Sequence, residues 1–208
     1  MSRDAQLFLK HGCDRAAAAL LLFLLSPFLI GLSLLILVGN GWPALFIQER
    51  VGKDGKVFRL YKFRTMVRDA VRLGLGTTVG KSDDRITWVG GWLRNWSLDE
   101  LPQVLNVLKG DMSLVGPRPT LEYQVAQYTS FQRRRLEMKP GITGWAQVNG
   151  RNALPWPQRI ELDVWYVDHF SLWLDLRILW RTIGVFLRRE GLYGAGGVND
   201  DFGSPRQP

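Results

Sequence analysis

An uninterrupted apolar run over residues 16–38 limits what this 208-residue chain can fold into. It reads AAAALLLFLLSPFLIGLSLLILV and contains no charged residue. As a straight helix it would be about 34 Å long, against a membrane hydrocarbon core of about 30 Å. A helix in the core of a soluble domain would carry a polar face, and a secretory signal peptide has a shorter apolar stretch before its cleavage site. The run therefore predicts a helix inserted in a membrane.

Ser26 and Pro27 lie in the middle of this run and leave two arrangements open. Proline removes a backbone donor and clashes with the preceding turn, so it kinks or breaks a helix. The arms, 16–25 and 28–38, would each be about 15–16 Å long, which reaches the middle of a bilayer but does not cross it. The Ser26 hydroxyl could bond a carbonyl that the proline leaves free. A kinked spanning helix and a re-entrant helix both fit the run itself.

The chain is basic, with 27 Lys and Arg against 19 Asp and Glu, a net charge of +8. Positive charge is densest just after the apolar run, in residues 39–72, so the positive-inside rule predicts that the body of the chain is cytoplasmic. Such a chain suits phosphate-rich partners. No nucleic-acid-binding module is recognisable, so we expect no nucleic-acid partner. Two histidines and one cysteine cannot form an ordinary zinc site.

Beyond the run, the patterns predict a small α+β domain that is predominantly helical. Residues 44–52 and 57–66 are β-rich, and Asp54-Gly55 between them predicts a β-hairpin. Amphipathic patterns predict further helices at 101–109, 120–138 and 172–190. The predicted division is a membrane-inserted helix over 1–40, a cytosolic domain over 41–190 and a flexible tail over 191–208.

Two apolar surfaces in this domain each allow two interpretations. Trp88, Trp92 and Trp96 recur every four residues on one helical stripe, which fits either core packing or the headgroup level of a membrane. The helix predicted at 172–190 has cationic borders, so it could lie on the bilayer surface or simply on the domain.

Asp99 and Glu100 are candidate catalytic residues. Ser97, three residues before Glu100, also fits a helix-capping box, which needs no catalysis. Adjacent carboxylates on a helix diverge by about 100°, which does not suit an acid–base pair flanking one glycosidic bond. The pair suits separate tasks, in which one carboxylate attacks phosphorus and the other helps to hold Mg²⁺ or the leaving group.

Basic residues elsewhere could hold a diphosphate. Lys62 lies near the end of the second predicted strand, and Pro117-Arg118-Pro119 presents an arginine from a rigid backbone. Arg151 lies in a polar loop, Asn149-Gly150-Arg151-Asn152. Each of these segments alone is more often a turn than a ligand site.

Five segments in this order closely resemble the bacterial sugar transferase family of small monotopic phosphoglycosyl transferases. They are the Ser-Pro-interrupted run, FIQERVGKDGKVFRLYKFRTM, SLDELPQVLNVLKGDMSLVGPRP, KPGITGWAQVNGRN and ELDVWYVDHFSLWLDLRIL. The resemblance covers about residues 8–190 and lacks the extra membrane helices of larger members. It favours a re-entrant helix, because that arrangement holds the catalytic face where a cytosolic nucleotide and a membrane acceptor meet.

The resemblance implies an enzyme that moves a sugar phosphate from a UDP-sugar to undecaprenyl phosphate and releases UMP. The product, a lipid-linked diphosphosugar, initiates glycoconjugate synthesis at the cytoplasmic face of the bacterial inner membrane, in contact with its lipids. The reaction uses Mg²⁺, and an aspartate takes up the phosphosugar covalently before the polyprenyl phosphate attacks. The sugar, the downstream glycan and the oligomeric state stay open. A non-catalytic membrane scaffold for glycan assembly is the alternative, against which the intact acidic pair argues.

Carried onto this sequence, the resemblance gives each candidate residue a role. Asp99 matches the nucleophile and Glu100 its acidic partner, and both are candidate metal ligands. The other matches are Lys62 and Arg94 near the phosphates, Arg118 and Arg151 as weaker phosphate-binding assignments, Ser26-Pro27 at the membrane break, and Lys10 and Asp14 at the base of the helix.

Overall fold

The computed structural model describes residues 1–73, 79–80, 82–188, 191–192, 194, 197–199 and 202. Over these residues the chain is mostly helical, with a long apolar N-terminal helix and one β-hairpin, which confirms the predicted fold class at that level. The proposed domain boundaries stay predictions, and most of the predicted tail over 191–208 lies outside the described residues.

Helix α1, Arg3–Asn40, contains the whole apolar run and is, among the described helices, the one long and apolar enough to cross a membrane. It continues through Pro27 without interruption, so the expected break is not a gap between two helices. The Ser26 hydroxyl donates to the carbonyl of Phe23 at 2.8 Å. This is the carbonyl that an amide at position 27 would have reached, so the predicted role of Ser26 is confirmed.

The two faces of α1 differ. One stripe, which includes Ala18, Leu32 and Ile36, is buried against the domain. The opposite face exposes large apolar side chains, of which Phe23 is 78% exposed. Because water solvates such a face poorly, the exposed side of α1 is suited to lipid.

Strands β1, Leu45–Val51, and β2, Val57–Phe63, pair antiparallel from Leu45 opposite Phe63 to Val51 opposite Val57. Asp54 and Gly55 in the connecting turn have φ angles of 56° and 78°. Positive φ at both positions is what the Asp-Gly pair favours, so the predicted hairpin is confirmed.

Most of the remaining elements are short. In chain order they are β3 Val79–Gly80, α2 Trp88–Asn95, a 3-10 helix Leu98–Gln103, α3 Val104–Lys109, β4 Ser113–Val115, α4 Glu122–Ala126, α5 Ser130–Arg133, β5 Gly141–Thr143, α6 Trp145–Val148, α7 Trp156–Asp168, α8 Leu172–Arg188 and β6 Val198–Asn199. The helix predicted over 120–138 is therefore several short pieces. In the tail, β6 pairs antiparallel with β3, and the ring of Phe202 lies 5.5 Å from that of Tyr128.

Strands β4 and β5 are parallel and very close, which brings the segments that follow them together. A Cβ atom at Gly116, Gly141 or Gly144 would collide with backbone atoms of the facing segment, so these positions accept only glycine. The close approach fixes the loop after β4, which carries Arg118, beside the segment after β5, which leads through α6 to Arg151.

The tryptophan stripe lies at the surface rather than in the core. Trp88 is 86% exposed, and Trp92 and Trp96 are also exposed, so the core-packing interpretation is wrong for these three rings. Helix α8 likewise exposes Trp173, Leu176, Trp180, Ile183 and Leu187 along one face. We call these five residues the outer face of α8.

Candidate active site

Asp99 and Glu100 lie in the 3-10 helix, which packs against β2. Ser97, before this helix, has φ 49°, and its side chain caps no backbone amide. The alternative interpretation of this segment as a capping box is therefore wrong. The Ser97 hydroxyl accepts a hydrogen bond from Arg151 Nη2 at 3.1 Å instead, which ties the start of this helix to the loop of Arg151.

Glu100 is held between two cations. Its Oε1 accepts from Arg118 Nη2 at 2.7 Å and from Lys62 Nζ at 3.2 Å. Burial alone would raise the pKa of Glu100, but Arg118 and Lys62 hold it well below the usual range. Glu100 is therefore a fixed anion whose oxygens are already engaged.

Asp99 is half-buried and differently placed. No residue that the structure describes donates a hydrogen bond to its carboxylate, although Lys62, Arg94 and Arg118 act on it through their charges. Burial and then the neighbouring charge of Glu100 raise the pKa of Asp99 above its usual value, outweighing those cations. A carboxylate with uncommitted lone pairs and raised basicity is suited to attack an electrophile or to bind a metal ion.

A buried asparagine sets the position of Lys62. Asn106, on α3, accepts from the amide of Tyr61 at 3.1 Å and donates to the carbonyl of Arg59 at 2.6 Å. These bonds fix β2 to the helix that follows the acidic pair, so Lys62 is brought to Glu100 by backbone contacts on either side of it.

Arg118 is positioned by a second arginine, which the sequence analysis missed. Arg135 is 2% exposed and donates to the carbonyl of Arg118 at 2.9 Å. Its guanidinium also forms an ion pair with the buried Asp163 and a hydrogen bond with Tyr128. The run 133–135 gave no indication that one of its three arginines is buried.

Arg94 and Arg151 line a cavity together with Arg118. Its wall carries six arginines, with Asp163 as the one acidic residue among those described: Arg50, Arg94, Arg118, Arg135, Arg151 and Arg159. We call it the arginine cavity. Nη1 of Arg94 is buried with no hydrogen-bond partner among the described residues, which suits an anionic ligand.

A second cavity beside the acidic pair is mainly apolar, and we call it the apolar cavity. Its described lining residues are Ser97, Glu100, Leu101, Val104, Arg118, Ile142, Thr143, Gln147, Val148, Arg151, Thr182, Val185 and Phe186. It shares Arg118, Gln147 and Arg151 with the arginine cavity. Neither amide atom of the buried Gln147 has a partner among the described residues, a feature that only the folded structure reveals.

The family model described as "Bacterial sugar transferase" matches residues 5–189, nearly the whole chain. The chain belongs to the bacterial sugar transferase family. This confirms the resemblance found in the sequence and identifies the chain as an enzyme.

The relatives of this chain include sugar transferases, some of whose names state a phosphotransfer reaction. The chain is 48% identical over 186 residues to "Uncharacterized sugar transferase EpsL" of Bacillus subtilis, covering 89% of this chain and 91% of that protein. It is 40% identical to "Undecaprenyl-phosphate galactose phosphotransferase" of Salmonella typhimurium, covering 93% of this chain but only 43% of the relative. It is 39% identical to "Undecaprenyl-phosphate glucose phosphotransferase" of Komagataeibacter xylinus, covering 84% of this chain and 35% of that protein.

The candidate residues fall into three groups in this family member. Asp99, Glu100, Lys62 and Arg118 form one ionic cluster, with Arg94 and Arg151 in the adjoining cavity wall. Ser26 and Pro27 are within α1. Lys10 and Asp14 are buried in a separate cluster, where Lys10 Nζ lies 2.5 Å from Asp175 Oδ2. Their individual roles stay predictions.

The acidic pair fits Mg²⁺ only together with a substrate. Among the described residues, no group of three or more His, Cys, Asp or Glu side chains could hold a metal ion. Mg²⁺ in phosphate-transfer sites commonly takes one or two carboxylates, water and phosphate oxygens. The Asp99 oxygens accept no hydrogen bond from a described residue and could serve this purpose, whereas those of Glu100 are engaged by cations.

Proposed function

We propose that this chain transfers a sugar 1-phosphate from a UDP-sugar to undecaprenyl phosphate through a covalent phosphosugar ester of Asp99. UMP is released, and the product is the lipid-linked diphosphosugar that initiates glycoconjugate synthesis. The proposal is based on the contrast within the acidic pair. The charge of Glu100 is balanced by Arg118 and Lys62, whereas the Asp99 carboxylate has no hydrogen-bond donor among the described residues.

The reaction consists of two successive substitutions at the same phosphorus atom. In the first, an Asp99 oxygen bonds to the sugar-bearing phosphorus, the bond to the bridging oxygen breaks, and UMP leaves with that electron pair. In the second, a phosphate oxygen of undecaprenyl phosphate attacks the same phosphorus, and Asp99 leaves as a carboxylate. An acyl phosphate is reactive enough for the second step, because a carboxylate is a good leaving group.

The surrounding charges favour this chemistry. A carboxylate and a diphosphate repel each other, so attack requires fixed positive charge close to the phosphates. Arg94, Arg118 and Arg151 line one cavity wall and can supply that charge, and Lys62 adds to it from β2. Asp99 and the substrate phosphates would hold Mg²⁺, which would neutralise charge on the diphosphate. The raised pKa of Asp99 makes its oxygen more basic, and hence more nucleophilic once ionised.

Contacts at the two ends of α1 support a re-entrant helix. Near its start, Lys10 is paired with Asp175 of α8. At its end, the guanidinium of Arg64, just after β2, donates to the carbonyls of Asn40, Gly41 and Trp42. A helix that crosses a bilayer puts its ends on opposite sides, whereas here both ends contact the same domain. The proposal therefore puts both ends at the cytoplasmic face of the inner membrane.

Release of UMP tests the function. Purified protein in detergent with Mg²⁺ is given undecaprenyl phosphate and a panel of UDP-sugars. We expect UMP release with at least one sugar, and a loss of at least about 10³-fold in Asp99→Asn, because the nucleophile itself is removed. Asp54→Asn, at the hairpin turn where φ is 56°, is the matched control and should keep full activity. Turnover that persists in Asp99→Asn would contradict the covalent route.

Cysteine labelling tests the topology. Cys13 is exposed near the start of α1 and is the single cysteine of the chain. A second protein, Cys13→Ser with Asn40→Cys, reports on the other end. If the helix is re-entrant, an impermeant maleimide should label both proteins in inside-out inner-membrane vesicles and neither in intact spheroplasts. Labelling of the two sites from opposite sides would demonstrate a spanning helix.

A further inference from the structure

The apolar cavity differs from the arginine cavity in its walls but shares one end with it. Leu101, Ile142, Val148 and Val185 provide much of its lining, and its polar groups include Glu100. Hydroxyl-rich ligands would lose hydrogen bonds to water against such walls, whereas a hydrocarbon chain would lose none. The cavity therefore suits an apolar group attached to an anion.

The apolar cavity reaches the surface at the outer face of α8. Phe186 lines the cavity and is 39% exposed. Ile183 and Leu187, beside it on the same helix, belong to the outer face and are 56% and 72% exposed. Apolar surface is thus continuous from the cavity wall, through Phe186, to a helix face that is itself suited to lipid.

The shared end of the two cavities is where a phosphate group fits. Arg118 and Arg151 line both cavities, and Gln147 lies between them with both amide atoms unpartnered among the described residues. A phosphate bound there could carry its substituent into either cavity. The arginine cavity suits a nucleoside diphosphate, and the apolar cavity suits a hydrocarbon.

We infer that the apolar cavity binds the phosphate-proximal isoprene units of the polyprenyl acceptor, with the acceptor phosphate beside Arg118 and Arg151. This inference rests on the proposed function and adds a binding site to it. The two substrates then share one phosphate position but use different cavities. Val185 and Phe186 therefore contribute to binding of the acceptor. They do not contribute to the first half-reaction, in which the UDP-sugar reacts.

The test separates the two half-reactions. The first is followed without acceptor, as exchange of labelled UMP into the UDP-sugar. The second is followed as full turnover with two short, water-soluble acceptors, geranyl phosphate and butyl phosphate. Short acceptors are chosen so that partition of the acceptor into detergent micelles does not determine the measured KM. The variants are Val185→Phe, which fills the cavity, and Phe186→Gln, which makes its surface end polar. Val57→Phe, at an exposed strand position, is the matched control.

The wild-type protein should prefer geranyl over butyl phosphate, since only the former can fill an apolar cavity. In Val185→Phe and Phe186→Gln we expect exchange within about 2-fold of wild type and a KM for geranyl phosphate raised about 10-fold or more, consistent with the loss of a few buried methylene groups. The preference over butyl phosphate should shrink in both variants and persist in Val57→Phe.

Three other outcomes would each be decisive. Unchanged acceptor kinetics in both variants would overturn the inference and leave the proposed function intact. Loss of exchange together with turnover, in variants whose thermal unfolding is unchanged, would assign the apolar cavity to the nucleotide sugar and overturn the inference. Absence of exchange in the wild-type protein with every UDP-sugar would instead contradict the proposed function itself.

Discussion

The protein contains two ionic clusters of similar composition, which differ in how completely their polar groups are paired. The anchor cluster joins α1 to the domain through Lys10, Asp14 and Asp175. Lys10 lies between the two carboxylates, the Tyr166 hydroxyl donates to Asp175 at 2.6 Å, and the Ser113 hydroxyl donates to Asp14 at 2.5 Å. Every one of these charged side chains has a partner.

The candidate-site cluster, made of Asp99, Glu100, Lys62 and Arg118, leaves groups without partners among the described residues. Neither the Asp99 carboxylate nor the buried nitrogens Arg94 Nη1 and Gln147 Nε2 have a hydrogen-bond partner among the residues that the structure describes. Unpaired buried polar groups cost folding free energy unless a ligand completes them. The two clusters therefore differ in pairing rather than in residue type, and incomplete pairing is what a substrate-binding site requires before its ligand arrives.

The largest expected effect on stability comes from breaking the anchor cluster. Lys10→Met removes the cation between two buried carboxylates, so we expect the free energy of unfolding to fall by about 3–5 kcal/mol. Lys62→Met should cost much less stability, because burial already lowers the pKa of Lys62 and Glu100 keeps its bond to Arg118. Unfolding in detergent measures both. A larger loss of stability in Lys62→Met would reverse the comparison.

Features that depend on neighbouring residues could be predicted from the sequence, whereas contacts between distant segments could not. Local patterns were sufficient for the apolar helix, for the Asp54-Gly55 hairpin and for a helix that ends at Gly110, where φ is 90°. These depend on residues close together in sequence. The family resemblance was needed to group Lys62, Glu100 and Arg118, because their proximity results from packing between distant segments.

The failures have the same physical origin. The sequence allowed Ser97 to cap a helix, but its hydroxyl accepts a hydrogen bond from Arg151, 54 residues away. Nothing in the sequence distinguished Arg135 from its two arginine neighbours, yet it is buried against Asp163 and supports Arg118. The amide of Gln147 has no partner among the described residues, which only the folded arrangement of α6 beside the two cavities reveals. A single sequence contains no local feature that encodes these pairings.

The next largest effect should come from changing the geometry of a cation while keeping its charge. Arg118 donates to both oxygens of Glu100, at 2.7 and 3.4 Å. Lysine cannot reproduce this fork, so Arg118→Lys should lower kcat/KM for UMP release by about 10–100-fold with little change in unfolding. Arg134→Lys, an arginine paired with Asp168 at the surface, is the control and should leave activity unchanged. Equal activity of Arg118→Lys and wild type would remove Arg118 from the site.

A smaller, pH-dependent effect should separate the two members of the acidic pair. Asp99 must be ionised to attack, and its pKa is raised by burial and by Glu100. Exchange of UMP should therefore fall tenfold per unit as pH drops below that raised pKa, starting above the ordinary aspartate value of about 3.9.

Removing the charge should change the free energy of unfolding in opposite directions at Asp99 and at Glu100. Because the folded pKa of Asp99 is raised, its ionised form destabilises the fold at neutral pH, so Asp99→Asn should be more stable than wild type. That advantage should vanish as pH falls below the usual aspartate pKa. Glu100 has a depressed pKa, so Glu100→Gln should be less stable at neutral pH, and its deficit should disappear as pH falls through that low pKa. If the free energy of unfolding of the two variants changed with pH in the same way, the pKa values of Asp99 and Glu100 would not be shifted in opposite directions.

The smallest expected effect extends the same reasoning about pairing into the apolar helix. The Ser26 hydroxyl bonds the Phe23 carbonyl, which has no helical amide partner because residue 27 is a proline. Ser33 makes a similar bond of 2.8 Å to the Leu29 carbonyl, but there the amide of Ser33 itself is the ordinary helical donor. Ser26→Ala should therefore cost about 1 kcal/mol of unfolding free energy, and Ser33→Ala much less. Both variants should keep UMP release within about 2-fold of wild type, since α1 is still anchored at both ends. If Ser33→Ala were as destabilising as Ser26→Ala, the serine before the proline would have no special role in completing the helix.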